Sequence, residues 1–176
     1  MKTLVTIVCM AFVAGCASGE PSYEAAENSQ LIKANHNAVD KLLLAPSIYV
    51  DKKTPMLVAT LVSIDNLTQS SRFGRLISEQ VATRLTQSGF NVIEMKLRSN
   101  VYIREDAGEL LLSRDVRDLS KSHNAQVVVV GNYAVSAGYT YVTLKMVAVA
   151  DNRVVSAVNY VLPLNETNRS MLATGS

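Results

Sequence analysis

Apolar positions along this chain change period several times, and the changes mark its elements. Residues 4–13 are almost wholly apolar. Over residues 24–45, Leu31, Ile32, Val39, Leu42 and Leu43 recur at helical spacing, which predicts an amphipathic helix that Pro46 ends. Residues 56–62 form a continuous apolar run, the pattern of a strand covered on both faces. The polar stretch 66–71 follows. Phe73, Leu76, Ile77, Val81 and Leu85 then make the buried stripe of a second helix, capped by Ser70 or Ser71 and stopped at Gly89. A strand is predicted over residues 90–97. Strand, helix and strand at this spacing predict a βαβ unit with parallel strands and a right-handed crossover.

The middle of the chain is less regular. Residues 101–103 suit a short edge strand. Ser113 is placed to cap a helix that carries Val116 and Leu119 and ends near His123 and Asn124. Residues 126–130 are again apolar, and Gly131 marks a close approach or a bulge. Residues 139–146 alternate strictly, with Thr140, Val142, Leu144 and Met146 on one face. Gly138 turns the chain before this strand. Asp151 and Asn152 turn it afterwards into a strand over residues 153–161, because both tolerate the positive φ of a tight hairpin. The end of the chain is therefore an antiparallel meander. The predicted fold is a single α/β (α+β) domain with a mixed sheet: an N-terminal βαβ unit, a C-terminal meander, and helices packed on the sheet.

The N-terminus adds a destination. Lys2 is the one charge before Glu20. A basic start, a short apolar core and small residues before a cut make a secretory signal. The apolar run is shorter than the roughly 20 residues a spanning helix needs. Val13-Ala14-Gly15-Cys16 resembles the bacterial lipobox, in which the cysteine sulfur takes a diacylglycerol. Cys16 is thus the candidate lipidation site. The expected division is a lipoprotein signal peptide over 1–15, a lipidated tether over 16–23, a domain over 24–165 that includes the first helix, and a polar tail over 166–176. Ala17 and Ser18 follow the cysteine, with no aspartate of the kind that signals inner-membrane retention. The expected location is the outer membrane, periplasmic face. Beside such an anchor, the first helix suits core packing or, alternatively, a partner.

Composition narrows the chemistry. The chain has two cysteines, Cys9 and Cys16. Cys9 leaves with the signal and Cys16 is acylated, so the mature domain forms no disulfide and runs no thiol chemistry. Lys and Arg number 17 against 15 for Asp and Glu, and no basic stripe is interleaved with aromatics, which argues against nucleic acid. Arg72 and Arg75 are helix neighbours, as are Arg114 and Arg117. These are solvated faces, and Arg72 with Arg75 is the candidate interaction patch. His36 and His123 belong to no HExxH motif. The chain has no GxSxG elbow, no Ser-x-x-Lys, no GxGxxG and no P-loop. Glu105, Asp106 and Glu109 lack calcium-loop spacing and read as an acidic turn. No enzyme, cofactor or metal is expected.

Four segments, in order, resemble the FlgO family of flagellar outer-membrane proteins. They are Phe73-Gly74-Arg75-Leu76-Ile77-Ser78-Glu79-Gln80; Gly108-Glu109-Leu110-Leu111-Leu112-Ser113-Arg114-Asp115; Val128-Val129-Val130-Gly131-Asn132-Tyr133-Ala134 with Tyr141-Val142-Thr143-Leu144 after it; and Asp151-Asn152-Arg153-Val154-Val155-Ser156-Ala157. Asn132 stands where the family's Gly-Thr-Tyr has threonine. The resemblance implies a non-enzymatic subunit of the outer-membrane-associated rings of a polar or sheathed flagellum, needed for motility. It also implies self-association in a ring and contact with other ring and disk proteins. Two other readings stand beside it: a lipoprotein of the curli-secretion type, and an activator of a cell-wall synthase.

Overall fold

The computed structural model describes residues 30–67, 70–95, 102–104, 110–112 and 114–172. The signal, Cys16, the tether, the acidic turn and the Ser113 cap all lie outside the described residues. Helix α1 spans Gln30–Leu44 and buries Ala38, Val39 and Leu42 on its apolar side. Its expected first turns, residues 24–29, also lie outside the description.

The apolar run 56–62 is two strands, not one. β1 is Met56–Ala59, and β2 is Val62–Ser63. The break is at Thr60 and Leu61, and side chains from further along the chain cause it. Leu61 N–H donates to Ser78 Oγ (2.8 Å), and Ser70 Oγ donates to Leu61 O (3.0 Å). Once its peptide groups are satisfied there, Leu61 leaves the ladder without an orphaned donor. Helix α2, Arg72–Gln87, crosses closely above. A Cβ on Gly74 would collide with Leu61 O, so only glycine fits. Ser71 caps α2, accepting from Gly74 N at 3.1 Å. Phe73, Ile77, Val81 and Leu85 are fully buried, but Leu76 is only half-buried. Ala82, Gly74 and Ser78 take the buried side in its place, because the stripe is centred one position away from the expected one. Gly89 follows the helix at φ +86°, the left-handed stop.

β3, Val92–Met95, lies parallel to β1, with Met56 opposite Val92, which completes the βαβ unit. β4 (Tyr102–Arg104) and β5 (Leu110–Leu112) pair antiparallel with each other as a separate ribbon. The strand expected near 101–103 therefore does not edge the main sheet. Helix α3 spans Arg114–Ser122, and Asn124 leaves it at φ +51°. β6 (Val127–Val135), β7 (Tyr139–Ala148) and β8 (Val154–Pro163) form the meander. β6 runs straight through Gly131, which marks a close approach and no bulge. A Cβ there would meet Leu61 Cγ at 2.8 Å and Thr143 O at 2.8 Å. The irregularity lies instead between Met146 and Val147, where β8 carries one extra residue.

The six-stranded sheet runs β3-β1-β6-β7-β8, with β2 also pairing β6. The fold is a mixed α+β single domain, as the sequence predicts. One sheet face, with Met56, Val58, Val129, Val142, Leu144 and Met146, packs under α1 and α2. The other face, with Leu57, Val128, Val130 and Val147, packs under α3 through Val116 and Leu119. Residues 166–172, expected as polar tail, form helix α4, Glu166–Leu172. Asn165 Oδ1 caps it by accepting from Asn168 N (2.9 Å). Asn168 is buried, and its Nδ2 donates to Pro163 O (2.7 Å). Met171 and Leu172 reach the core.

Candidate interaction surfaces

The first helix is a core element. Tyr160 OH donates to Asn35 Oδ1 (2.6 Å), and Asn35 Nδ2 donates to Gln80 Oε1 (2.5 Å), so one polar chain ties β8, α1 and α2 together. Buried amides and phenols of this kind are costly unless paired, so the network fixes how α1 sits. Burial pushes the Tyr160 phenol above its ordinary range. Near the surface, Arg84 grips Asp40 through Nε and Nη2, both at 2.8 Å. That hydrogen-bonded guanidinium holds the Asp40 carboxyl below the usual carboxylate range. Ser156 Oγ also donates to Leu42 O (2.7 Å).

Arg72 and Arg75 are both exposed on the first turn of α2. Arg72 Nη2 donates to Ser170 O of α4 (3.2 Å), and Arg75 Nη1 donates to Ser70 O (3.2 Å). A helix N-terminus disfavours cations, and the two carbonyls give each guanidinium a local partner. Arg72 thus serves as a strap between α2 and α4. Arg117 lines a shallow depression of about 380 Å³ with Asp118, Lys121, Val149, Ala150 and Asn152.

The histidines do not meet. His36 is half-buried on α1, and His123 is exposed just past α3. Among the described residues no group of His, Cys, Asp or Glu is placed to hold a metal ion, and no helix is long and apolar enough to cross a membrane.

The sequence did not point to the surface that stands out most. On the outer face of the meander, register puts Tyr141 between Ala134 and Val161, and Tyr139 opposite Pro163. No described helix covers these positions. Tyr139 is 53% exposed, Tyr141 52% and Val161 48%. The signal was present in residues 139–146, whose second face carries two tyrosines where a solvated face usually carries charge.

Comparison with known proteins agrees with this architecture. Among solved structures, the chain is similar to the LpoB C-terminal domain from Salmonella enterica, at 12% identity and a TM-score of 0.55, covering 76% of this chain and 98% of that one. It is also similar to the LpoB C-terminal domain from Escherichia coli, at 11% identity and a TM-score of 0.52, with the same coverage. At such identities the likeness concerns the fold alone. No curated protein matches the chain significantly. The FlgO protein family matches residues 36–167, from within α1 to the start of α4. Those bounds take in the whole sheet and all of the family-like segments, and the chain belongs to the FlgO family.

Proposed function

We propose that this protein is a non-enzymatic outer-membrane lipoprotein, acylated at Cys16, that helps assemble or stabilise the outer-membrane-associated ring of a flagellar basal body. The family match over residues 36–167 carries the reading. The lipobox-like Val13-Ala14-Gly15-Cys16 supplies the anchor, with the domain held on the periplasmic face. The described domain offers what a scaffold subunit needs: a sheet packed on both faces at one end and a helix locked to it by paired polar groups. Its partners are the membrane lipid, other ring and disk proteins, and further copies of itself. A secretion-pore role of the curli type fits less well. The inward row Thr140, Val142, Leu144 and Met146 is fully buried in the domain core beneath α1, where a barrel wall would present one row to lipid.

The test is a deletion strain complemented with wild-type or Cys16→Ser protein. Loss of swimming with intact cell shape, restored by wild type and poorly by Cys16→Ser, is the expected result. Normal swimming with altered shape would move the assignment to cell-wall synthesis. Serine offers no thiolate to acylate, so fatty-acid label should vanish from the Cys16→Ser protein. His36→Ala and His123→Ala should swim normally at normal abundance.

A further inference from the structure

We propose that β8 is a pairing edge, through which two copies of this chain join as an antiparallel dimer about a two-fold axis at Asn159. Among the described residues β8 has a single strand neighbour, β7. The direction of its free groups follows from its end. Leu164 N–H donates to Gly138 O (2.9 Å), which makes Tyr139 and Pro163 a non-hydrogen-bonded pair. The register runs unbroken from Pro163 back to Ser156. Alternation then turns the N–H and C=O groups of Ala157, Asn159 and Val161 away from β7. These three residues are exposed, and no described backbone or side chain bonds their outward groups.

Sheets ordinarily protect such an edge with charge, an internal proline, a covering loop or short length. β8 is ten residues long and carries no charged side chain, and its proline is the last residue. The loop after α1 closes only the near end, where Ser47 N donates to Val155 O (2.7 Å) beside the bulge. The opposite edge of the sheet is guarded: β3 has four residues and includes Glu94.

The occupant that fits is a second β8. Setting Asn159 against its own copy places Ala157 opposite the partner's Val161, and Val161 opposite the partner's Ala157. Every outward N–H then meets an outward C=O, and outer side chains stay with outer side chains. Neither strand brings charge, so like copies meet without repulsion. The two Asn159 amides face one another on the axis and can bond reciprocally. Keeping the faces in register requires an axis perpendicular to the sheet. Both copies therefore hold α1 on the same side, and both chains leading to the anchor start from that side. Only this last point rests on the lipoprotein reading. The pairing is isologous and closes on itself, so a ring would need a second, heterologous interface as well.

Site-specific crosslinking of the full chain in intact cells tests the pairing. Paired Cα atoms at such a position lie about 5.5 Å apart, within the roughly 4.4–6.8 Å a disulfide spans. Asn159→Cys should yield a reducible homodimer under mild oxidation. Ala157→Cys and Val161→Cys, tagged differently and expressed together, should form a mixed dimer, and each alone should stay monomeric. Asn159→Pro, added to the mixed pair, removes an N–H that β7 does not use, so it should abolish the crosslink with abundance unchanged. A monomeric Asn159→Cys protein, accumulating as well as a Glu79→Cys control, would overturn the proposal. So would a crosslink to a species of another size. Swimming does not enter this readout. A homodimer in a strain whose deletion mutant swims normally would overturn the flagellar role and leave the pairing intact, whereas a non-motile deletion with no homodimer would do the reverse.

Discussion

The two ends of the sheet are built differently from the same kinds of residue. At the β3-β1-β6 end the strands are parallel and covered on both faces, by α1 and α2 on one side and α3 on the other. All four β1 residues are buried there. At the β7-β8 end the strands are antiparallel, and beyond Val147 no described helix covers the outer face, where two tyrosines and a valine are half-exposed. Parallel strands need crossover helices, and those helices bring their own cover. Hairpins need no crossover, so the meander's second face stays open unless a separate element covers it. The parallel end is therefore closed on both faces, and among the described residues the outer face at Tyr139, Tyr141 and Val161 is not.

Mutations should separate the two ends sharply. Ile77→Ala, beneath α2, should cost about 2–5 kcal/mol, the usual range for truncating a buried aliphatic side chain. A denaturant midpoint equal to wild type would show that α2 does not stabilise the sheet. Gly131→Ala probes β6, the strand both ends share. Its Cβ would press on Leu61 and on Thr143 O, so a loss of about 1–3 kcal/mol is expected from overpacking. An unchanged melting temperature would mean that the two ends are coupled more loosely than the contacts imply. Asp40→Asn should cost less than about 1 kcal/mol at neutral pH, because the Asp40–Arg84 pair is partly solvated. The Asp40 carboxyl is shifted down in the folded chain. Its contribution is complete above the unfolded value of about 3.9 and fades as pH falls through the lower folded one. The gap between wild type and Asp40→Asn should therefore narrow as pH falls into the acid range; a gap that did not narrow would assign it to packing. Tyr141→Ser, on the open face, should change stability by no more than about 0.5 kcal/mol. A larger loss in the purified protein would mean that the face is covered after all.

How far the sequence could be read follows the same division. Strict alternation made the inner row of β7 legible residue by residue, since Thr140, Val142, Leu144 and Met146 are all buried. The stripe of α2 was legible except at Leu76, which sits on its margin. The break at Leu61 was not legible. It depends on Ser70 and Ser78, whose hydroxyls reach it only once α2 is docked. α4 was hidden because its first five residues are polar; its fixing comes from Asn165, Asn168 and the Arg72 strap. The ribbon partner of residues 102–104 was hidden too, because a three-residue strand does not reveal its pairing. Of the candidate sites, Cys16 rests on sequence alone. The arginine patch was legible as residues but not as geometry, since spacing cannot show that each guanidinium already has a carbonyl.

The register of β1 against β6 also sets an order in time. Met56 sits opposite Val127, so the central parallel ladder closes a loop of some seventy residues, whereas β7 meets β8 across a turn of a few. Short closures are fast and long ones slow. The meander should therefore form first, and β1 should dock late, together with the α2 crossover that carries the chain on to β3. Until it does, the Val127–Val130 stretch of β6 is itself a bare, uncharged edge in a nascent sheet. A newly made chain would be most prone to clump during that interval. Pulse-labelling hydrogen exchange should find β6 to β8 protected before β1; protection of β1 first would reverse the sequence of events.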